Sequence, residues 1–227
     1  MRWTIPNILT VLRLAAAPGV AILFLYLTRP WADWFALVLF ITAAITDFFD
    51  GYLARLWKQE SRLGAMLDPV ADKAMVVIAL AIIVGLSAAE RQVMDPWILL
   101  PATVILFREV FVSGLREYIG STASELKVTT LTKYKTTAQM IAIAVLFAKG
   151  VFEHWYLNMV QGMDHDISFG VLSGEGRDTN GLGQIAGMMN TTWTVGVVLL
   201  WIAAALTAVT GWNYLRGSLP YLREPGT

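Results

Sequence analysis

The sequence contains no cysteine, only two histidines and few charged residues. Charged residues make up 15% of its 227 positions, whereas soluble domains have about 25%. The absence of cysteine excludes disulfides and thiolate metal sites. Lys plus Arg and Asp plus Glu are equal at 17 each, so the net charge favours no class of partner. Because 56% of the residues are hydrophobic, the composition indicates an integral membrane protein.

Six segments are apolar enough to cross a membrane, since a spanning helix needs about 20 mostly apolar residues. We therefore predict an all-α membrane protein with six transmembrane helices. They lie roughly at 7–27, 33–55, 68–87, 96–119, 132–152 and 192–215. The first is expected to be retained rather than cleaved as a signal peptide, because its apolar run continues to Leu27. The chain is predicted to be one domain over 1–227, with 153–191 as an extracytoplasmic loop inserted between helices 5 and 6.

Lys and Arg are distributed unevenly between the two ends of these predicted helices. With the N-terminus inside, the positive residues that fall outside are Arg29, Arg91, Lys149 and Arg177. The positive-inside rule then places both termini in the cytoplasm. In this topology the unusual polar residues of five helices gather in one leaflet. We expect them to line a single metal-containing cavity that is open to the cytoplasmic side.

Four aspartates, Asp47, Asp50, Asp68 and Asp72, lie at the cytoplasmic ends of predicted helices 2 and 3. They are three and four residues apart within their pairs, so each pair lies on one helix face. An Asp in the middle of a membrane costs about 2.5–3.5 kcal/mol, and four converging carboxylates would also repel one another. Hard divalent cations such as Mg²⁺, Mn²⁺ or Ca²⁺ relieve both difficulties. We expect one or two ions, and two would favour phosphoryl transfer.

The residues between the aspartates suit a phosphate ligand. Gly51 and Gly64 allow close approach to the backbone, and Ala54 is small on the face that carries the first two aspartates. Arg55 can bind phosphate oxygens through its bidentate fork. The alternative for each aspartate taken singly is an ordinary ion pair with a nearby Arg or Lys at the membrane interface.

The aspartate segment resembles the signature of the CDP-alcohol phosphotransferase family. The matching residues read Asp47-x2-Asp50-Gly51-x2-Ala54-Arg55-x8-Gly64-x3-Asp68-x3-Asp72. The resemblance implies a six-helix, usually dimeric membrane enzyme in which an alcohol displaces CMP from a CDP-linked partner at a two-metal centre, with Mg²⁺ or Mn²⁺. It implies metal ligands at Asp47, Asp50 and Asp68, with Asp72 as a further ligand or the catalytic base. It also implies a CDP site lined by Gly51, Ala54, Arg55 and Gly64.

Two later segments, LFREVFVSGLREY and LTKYKTTAQM, concern the acceptor alcohol. Arg108 and Arg116 are eight residues apart on roughly one helix face, and Lys135 belongs to a polar stripe on predicted helix 5. These cations would suit an anionic acceptor such as a sugar phosphate or glycerol phosphate. The alternative is that Arg116, Lys133 and Lys135 are snorkelling residues at the membrane interface.

These segments, together with IPNILTVLRL and LDPVADK, are similar to the bacterial phosphatidylglycerophosphate synthases of that family. The similarity implies transfer from CDP-diacylglycerol to sn-glycerol 3-phosphate, giving phosphatidylglycerophosphate and CMP, in the bacterial cytoplasmic (inner) membrane. The implied partners are these substrates, membrane lipid and a second copy of the chain, with no nucleic acid. Candidates for the acceptor phosphate are Arg108, Arg116 and Lys135. Candidates for the nucleotide end are Asn7, Thr10 and Arg13.

Two alternative functions stay open from the sequence. An enzyme of the same family could use inositol phosphate, phosphatidylglycerol or serine as its acceptor. Four intramembrane carboxylates could instead form the transport site of a divalent-cation transporter. A transporter should show a polar path to both faces and often repeated halves, whereas the polar residues here are confined to one leaflet.

Overall fold

The computed structural model describes residues 4–56, 61–120 and 130–222, and their side chains except those of 48–55, 62, 130, 133 and 165. The secondary structure in these ranges is helical, with seven helices in chain order. They are α1 (Ile5–Tyr26), α2 (Trp31–Leu56), α3 (Arg62–Arg91), α4 (Pro96–Ile119), α5 (Thr130–Gln161), α6 (His165–Ser173) and α7 (Leu182–Leu222). The prediction of an all-α protein is confirmed.

Five helices within the described ranges are long and apolar enough to cross a membrane, namely α1, α3, α4, α5 and α7. The remaining predicted span, 33–55, falls in α2, which has 26 residues. Side chains 48–55 of that helix lie outside the described residues. A multi-pass membrane protein is therefore supported, and the count of six spans stays a prediction.

Prolines and polar caps determine where several helices begin. α1 and α4 each have a proline in the first turn, where the missing N–H costs no hydrogen bond. The Asp95 side chain accepts from Trp97 N at 3.0 Å and caps α4. Ser61 Oγ accepts from Gly64 N at 3.0 Å and caps α3 in the same way. α3 therefore begins at Arg62, six residues before the first residue of the predicted span 68–87.

The prediction of one long loop over 153–191 is wrong in its secondary structure. α5 continues to Gln161, α6 occupies part of the segment and α7 begins at Leu182. Three of the Gly and Asp residues that suggested a loop cap helices instead. Asp164 caps α6, Gly174 ends it in the left-handed conformation at φ 82°, and Asp178 accepts from the first backbone N–H groups of α7. Whether the segment is an extracytoplasmic insertion stays a prediction.

The chain divides into two compact units by its internal contacts. Unit 1 comprises Met1–Ile83 and Ile143–Gly196, and its core includes buried Phe40 and Phe147 with ring centroids 5.9 Å apart. Unit 2 comprises Val84–Ala142 and Val197–Thr227. Its core includes Ile98, Ile105 and Leu200. The prediction of one domain over 1–227 is not tested by this division and stays a prediction.

Unit 1 also contains an ionic cluster that joins the segment after α1 to α2 and α5. Arg29 forms two hydrogen bonds with Asp33, at 2.8 and 2.9 Å, and a third with Glu153 at 3.1 Å. Lys149 donates to the second oxygen of Glu153 at 2.8 Å. Asp33 is fully buried, so the cluster gives its carboxylate the partner that a buried charge requires.

Candidate active site

Three of the four signature aspartates lie around one guanidinium group in unit 1. Arg13 of α1 donates from Nη1 to Oδ1 of Asp47 in α2 and to Oδ1 of Asp72 in α3, the latter at 2.6 Å. Its Nη2 lies 3.8 Å from Oδ1 of Asp68. The Arg13 side chain is 2% exposed, whereas the three carboxylates keep 41% to 50% exposure. The carboxylates therefore share one buried cation and remain accessible to a ligand.

The helix period of α1 explains why its polar residues reach the aspartate segment together. Asn7, Thr10 and Arg13 recur every three residues and lie on one face of the helix. Thr10 Oγ1 donates to Oδ1 of Asp68 at 2.6 Å. The structure thus brings the three residues predicted for the nucleotide end into the neighbourhood of the signature residues on α3. Their contact with a nucleotide stays a prediction.

Gly64 is needed in this arrangement because its position is closely approached by Asn7. A Cβ on Gly64 would lie 2.8 Å from Asn7 Oδ1, which is tighter than real Cβ contacts allow. That same oxygen accepts a hydrogen bond from Ser61 Oγ at 2.7 Å, and Asn7 is buried. In the described residues, the space left by the missing side chain is filled by Asn7. The remaining signature side chains, at Asp50, Gly51, Ala54 and Arg55, lie outside those that the structure describes.

The predicted acceptor residues belong to unit 2, and two of them meet through a carboxylate. Lys135 of α5 forms a buried ion pair with Oε1 of Glu109 on α4. Arg108 Nη1 lies 3.3 Å from the same oxygen. Burial of Lys135 argues against the snorkelling alternative for this residue. Arg116 is exposed, and within the described ranges it has no ion pair, so the structure does not place it in this cluster.

Sequence reasoning missed Glu109 and the polar face of α7. Gln139 of α5 donates to Thr207 Oγ1 of α7 at 3.2 Å, and both residues are buried. Tyr214 lies two turns further along the same face of α7. The signal was present as polar residues recurring at helical spacing in LTAVTGWNYLRGS, and as an acidic residue beside Arg108 in an apolar run.

The sequence matches one known protein family over most of its length. A family model described as CDP-alcohol phosphatidyltransferase matches residues 3–209. The chain belongs to the CDP-alcohol phosphatidyltransferase family. The resemblance inferred from the aspartate spacing is thereby confirmed.

Curated relatives are similar to this chain over 64% to 99% of its length. A protein of Cereibacter sphaeroides named CDP-diacylglycerol–glycerol-3-phosphate 3-phosphatidyltransferase is 62% identical over 225 residues, which are 99% of each chain. A protein of the same name from Pectobacterium atrosepticum is 35% identical over 227 residues, 99% of this chain and 100% of that one. The Escherichia coli K12 protein of this name is 40% identical over 148 residues, 64% of this chain and 78% of its own.

The donor chemistry of the aspartate cluster fits a hard divalent cation. Carboxylate oxygens of Asp47, Asp68 and Asp72, from two helices, already face one common cationic group. Oxygen ligands of this type suit Mg²⁺ or Mn²⁺. Among the side chains that the structure describes, no three acidic or histidine residues form a complete metal-binding set, and the fourth signature aspartate, Asp50, is not among them. The described geometry is an ion cluster in which Arg13 supplies the positive charge.

Proposed function

We propose that this protein transfers the phosphatidyl group of CDP-diacylglycerol to sn-glycerol 3-phosphate, giving phosphatidylglycerophosphate and CMP. The observation that carries the proposal is the 62% identity, over 99% of both chains, to a relative named for this reaction. The spacing of the four signature aspartates and the convergence of three of them, Asp47, Asp68 and Asp72, on Arg13 support the same chemistry.

The reaction exchanges one phosphorus–oxygen bond for another. A hydroxyl oxygen of glycerol 3-phosphate forms a bond to the phosphorus that carries the diacylglycerol, and the bond from that phosphorus to the CMP oxygen breaks. The hydroxyl proton must go to a base within hydrogen-bond reach. Asp72 is proposed for this role, because its carboxylate is half exposed and is therefore accessible to the attacking hydroxyl.

Asp47, Asp50, Asp68 and Asp72 are proposed to hold two divalent ions, Mg²⁺ or Mn²⁺. When bound, such ions supply charge neutralisation for the pyrophosphate and for the leaving CMP. Around them, Arg13 orients Asp47 and Asp72 by hydrogen bonds, and Thr10 orients Asp68. The proposed CDP-lining residues are Gly51, Ala54, Arg55, Gly64, Asn7, Thr10 and Arg13.

The acceptor phosphate is proposed to bind Arg108, Arg116 and Lys135. A guanidinium has five N–H donors in a planar fork that matches phosphate oxygens. Within the described residues, Arg108 uses one of them, toward Glu109. Its capacity for further donation supports binding of a phosphorylated acceptor over an uncharged one such as serine.

The membrane arrangement is proposed from the charge distribution and the helix lengths. α2 completes a set of six spans, both termini face the cytoplasm, and the polar cavity opens to that side of the bacterial cytoplasmic membrane. Residues 153–191 then face outward. The chain is proposed to act as a homodimer, as the family resemblance implies.

The test is CMP release by the purified protein with CDP-diacylglycerol and Mg²⁺ or Mn²⁺, with candidate acceptors added one at a time. Release that requires glycerol 3-phosphate and is lost in EDTA is the expected result. Release with inositol phosphate, phosphatidylglycerol or serine instead would keep the reaction class and contradict the proposed acceptor. A folded protein that releases no CMP with any acceptor would contradict the enzymatic proposal and favour cation transport.

A further inference from the structure

The buried face of α7 in unit 2 carries one hydroxyl that differs from its neighbours. Thr207 and Thr210 each donate to a carbonyl one turn earlier on α7, at 2.6 and 3.0 Å, and Ser218 does so at 2.7 Å. These short side chains satisfy their donors within the helix. The hydroxyl of Tyr214 is also buried, but among the described residues it has no hydrogen-bond partner. A buried hydroxyl without a hydrogen-bond partner is unfavourable, so the Tyr214 hydroxyl indicates a place where a ligand could accept its hydrogen bond.

Arg108 packs against the same face of α7. A Cβ on Gly211 would lie 2.9 Å from Arg108 Cγ and 3.7 Å from its Nε, so the glycine leaves the space that the arginine side chain occupies. Gly211 and Tyr214 are three residues apart and therefore lie on one helix face. Arg108 therefore lies against the turn of α7 that carries Tyr214, whose hydroxyl has no described hydrogen-bond partner.

Arg108 has unused donor capacity of its own. Its side chain is 13% exposed, and within the described ranges its one hydrogen bond is the 3.3 Å contact from Nη1 to Glu109. The Nε atom is buried and has no partner among those residues. The Glu109 oxygen that it contacts also accepts from Lys135. Arg108 therefore shares its counter-ion with a second cation, which favours an anionic ligand beside it.

Two buried donors of different kinds, a guanidinium N–H and a phenolic O–H, point to an anion with several acceptor oxygens. A phosphate monoester has this chemistry. Its oxygens could accept charge-assisted hydrogen bonds from both Arg108 Nε and the Tyr214 hydroxyl. We propose that Tyr214, together with Arg108, binds the phosphate of the acceptor alcohol and positions it. The inference rests on the proposed function and adds a residue of α7 to the acceptor site.

The test compares Tyr214→Phe with Tyr118→Phe, whose exposed ring (75% exposed) makes it the matched control. Loss of one hydrogen bond to a charged group is expected to raise KM for glycerol 3-phosphate by about tenfold or more. The value of kcat and KM for CDP-diacylglycerol should stay within about twofold. Thermal unfolding gives a second readout: glycerol 3-phosphate or inorganic phosphate should raise the Tm of the wild type and of Tyr118→Phe more than that of Tyr214→Phe.

Tyr214→Phe is expected to fold, because the hydroxyl that it removes has no described partner. Should its Tm collapse, Gly211→Ala provides the second variant, since its new methyl group would displace Arg108 and weaken phosphate binding. Gly85→Ala is its control, because a Cβ there meets no atom within 4 Å. An unchanged KM for glycerol 3-phosphate and an unchanged phosphate-induced Tm shift in Tyr214→Phe would overturn the inference while leaving the proposed function intact.

Failure of the proposed function has a different signature: the wild type would release no CMP with glycerol 3-phosphate. The Tm shift with inorganic phosphate would then still test whether Tyr214 belongs to an anion-binding site. A smaller shift in Tyr214→Phe than in Tyr118→Phe would support an anion site at Tyr214, and equal shifts in these two variants would overturn it.

Discussion

Arg13 Nη1 lies 2.6 Å from Oδ1 of Asp72, although the two residues are 59 positions apart in the chain. The same nitrogen donates to Asp47, so one guanidinium joins α1 to both aspartate-bearing helices. Because Arg13 is buried and the carboxylates are half exposed, the cation is the fixed element of the cluster. The N-terminal helix therefore contributes charge to the aspartate site in addition to its proposed contact with the nucleotide.

Replacing Arg13 by Gln should lower both activity and stability. The substitution leaves Asp47, Asp68 and Asp72 without their shared counter-ion, and the half-exposed carboxylates reduce the cost to about 1–3 kcal/mol of unfolding free energy. Mg²⁺ should raise the Tm of Arg13→Gln more than that of the wild type, because it replaces a missing positive charge. Differential scanning fluorimetry with and without Mg²⁺ measures this.

Arg177→Gln is the control for that experiment, because Arg177 is exposed and remote in sequence from the aspartates. Equal Mg²⁺ shifts in the wild type and in Arg13→Gln would contradict the role of Arg13 as the counter-ion of the cluster.

Replacing Gly64 by Ala should disrupt the contact between α1 and the start of α3. The new Cβ would lie 2.8 Å from Asn7 Oδ1, and Asn7 is buried and cannot easily withdraw. We expect a loss of about 1–3 kcal/mol of stability and of most CMP release. Gly187→Ala is the control, since a Cβ at that helical position meets nothing within 4 Å.

The double variant Asn7→Ala, Gly64→Ala isolates the cause. If the clash with Asn7 is responsible, the second substitution should recover part of the stability lost in Gly64→Ala, as measured by a double-mutant cycle. Purely additive losses would show that Gly64 is needed for another reason.

Replacing Gly150 by Ala should destabilise unit 1 without changing the chemistry of the folded enzyme. A Cβ there would lie 2.7 Å from Arg29 Nη2 and would also meet the carboxylate of Asp33. The ionic cluster would have to separate, at a cost of about 1–3 kcal/mol. Thermal unfolding should show the lower Tm, while kcat per folded protein stays at the wild-type value. A Tm equal to that of the wild type would contradict this prediction, because it would mean that the ionic cluster rearranges around the new methyl group with no loss of stability.

The apolar pattern predicted the helix bounds well where capping residues, proline or glycine also mark the ends of a helix. The predicted span 96–119 coincides with α4, which begins at a proline after the Asp95 cap and ends before Gly120 at φ 62°. α5 and α7 extend beyond their predicted spans because helix formation continues where membrane hydropathy ends. Hydropathy measures the part of a helix suited to lipid, and it does not measure the whole helix.

The candidate site was predictable where its residues are close in sequence. Spacings of three and four residues indicated shared helix faces for the aspartates, and the same rule grouped Asn7, Thr10 and Arg13. The pairing of Arg13 with the aspartates depends on the packing of α1 against α2 and α3, which local spacing does not encode. Tyr214 was missed for a similar reason, since its missing partner is visible only once α7 is packed.

The central claim is that the signature aspartates form the reaction centre for CMP displacement. It is tested most directly by phosphatidylglycerophosphate formation from labelled glycerol 3-phosphate, comparing the wild type with Asp68→Asn at saturating Mg²⁺. Asn keeps an oxygen that can accept from Thr10, so the variant should fold with a Tm near that of the wild type. The account predicts one labelled product per CMP released by the wild type and none above background for Asp68→Asn. Wild-type turnover by the folded Asp68→Asn protein would contradict it.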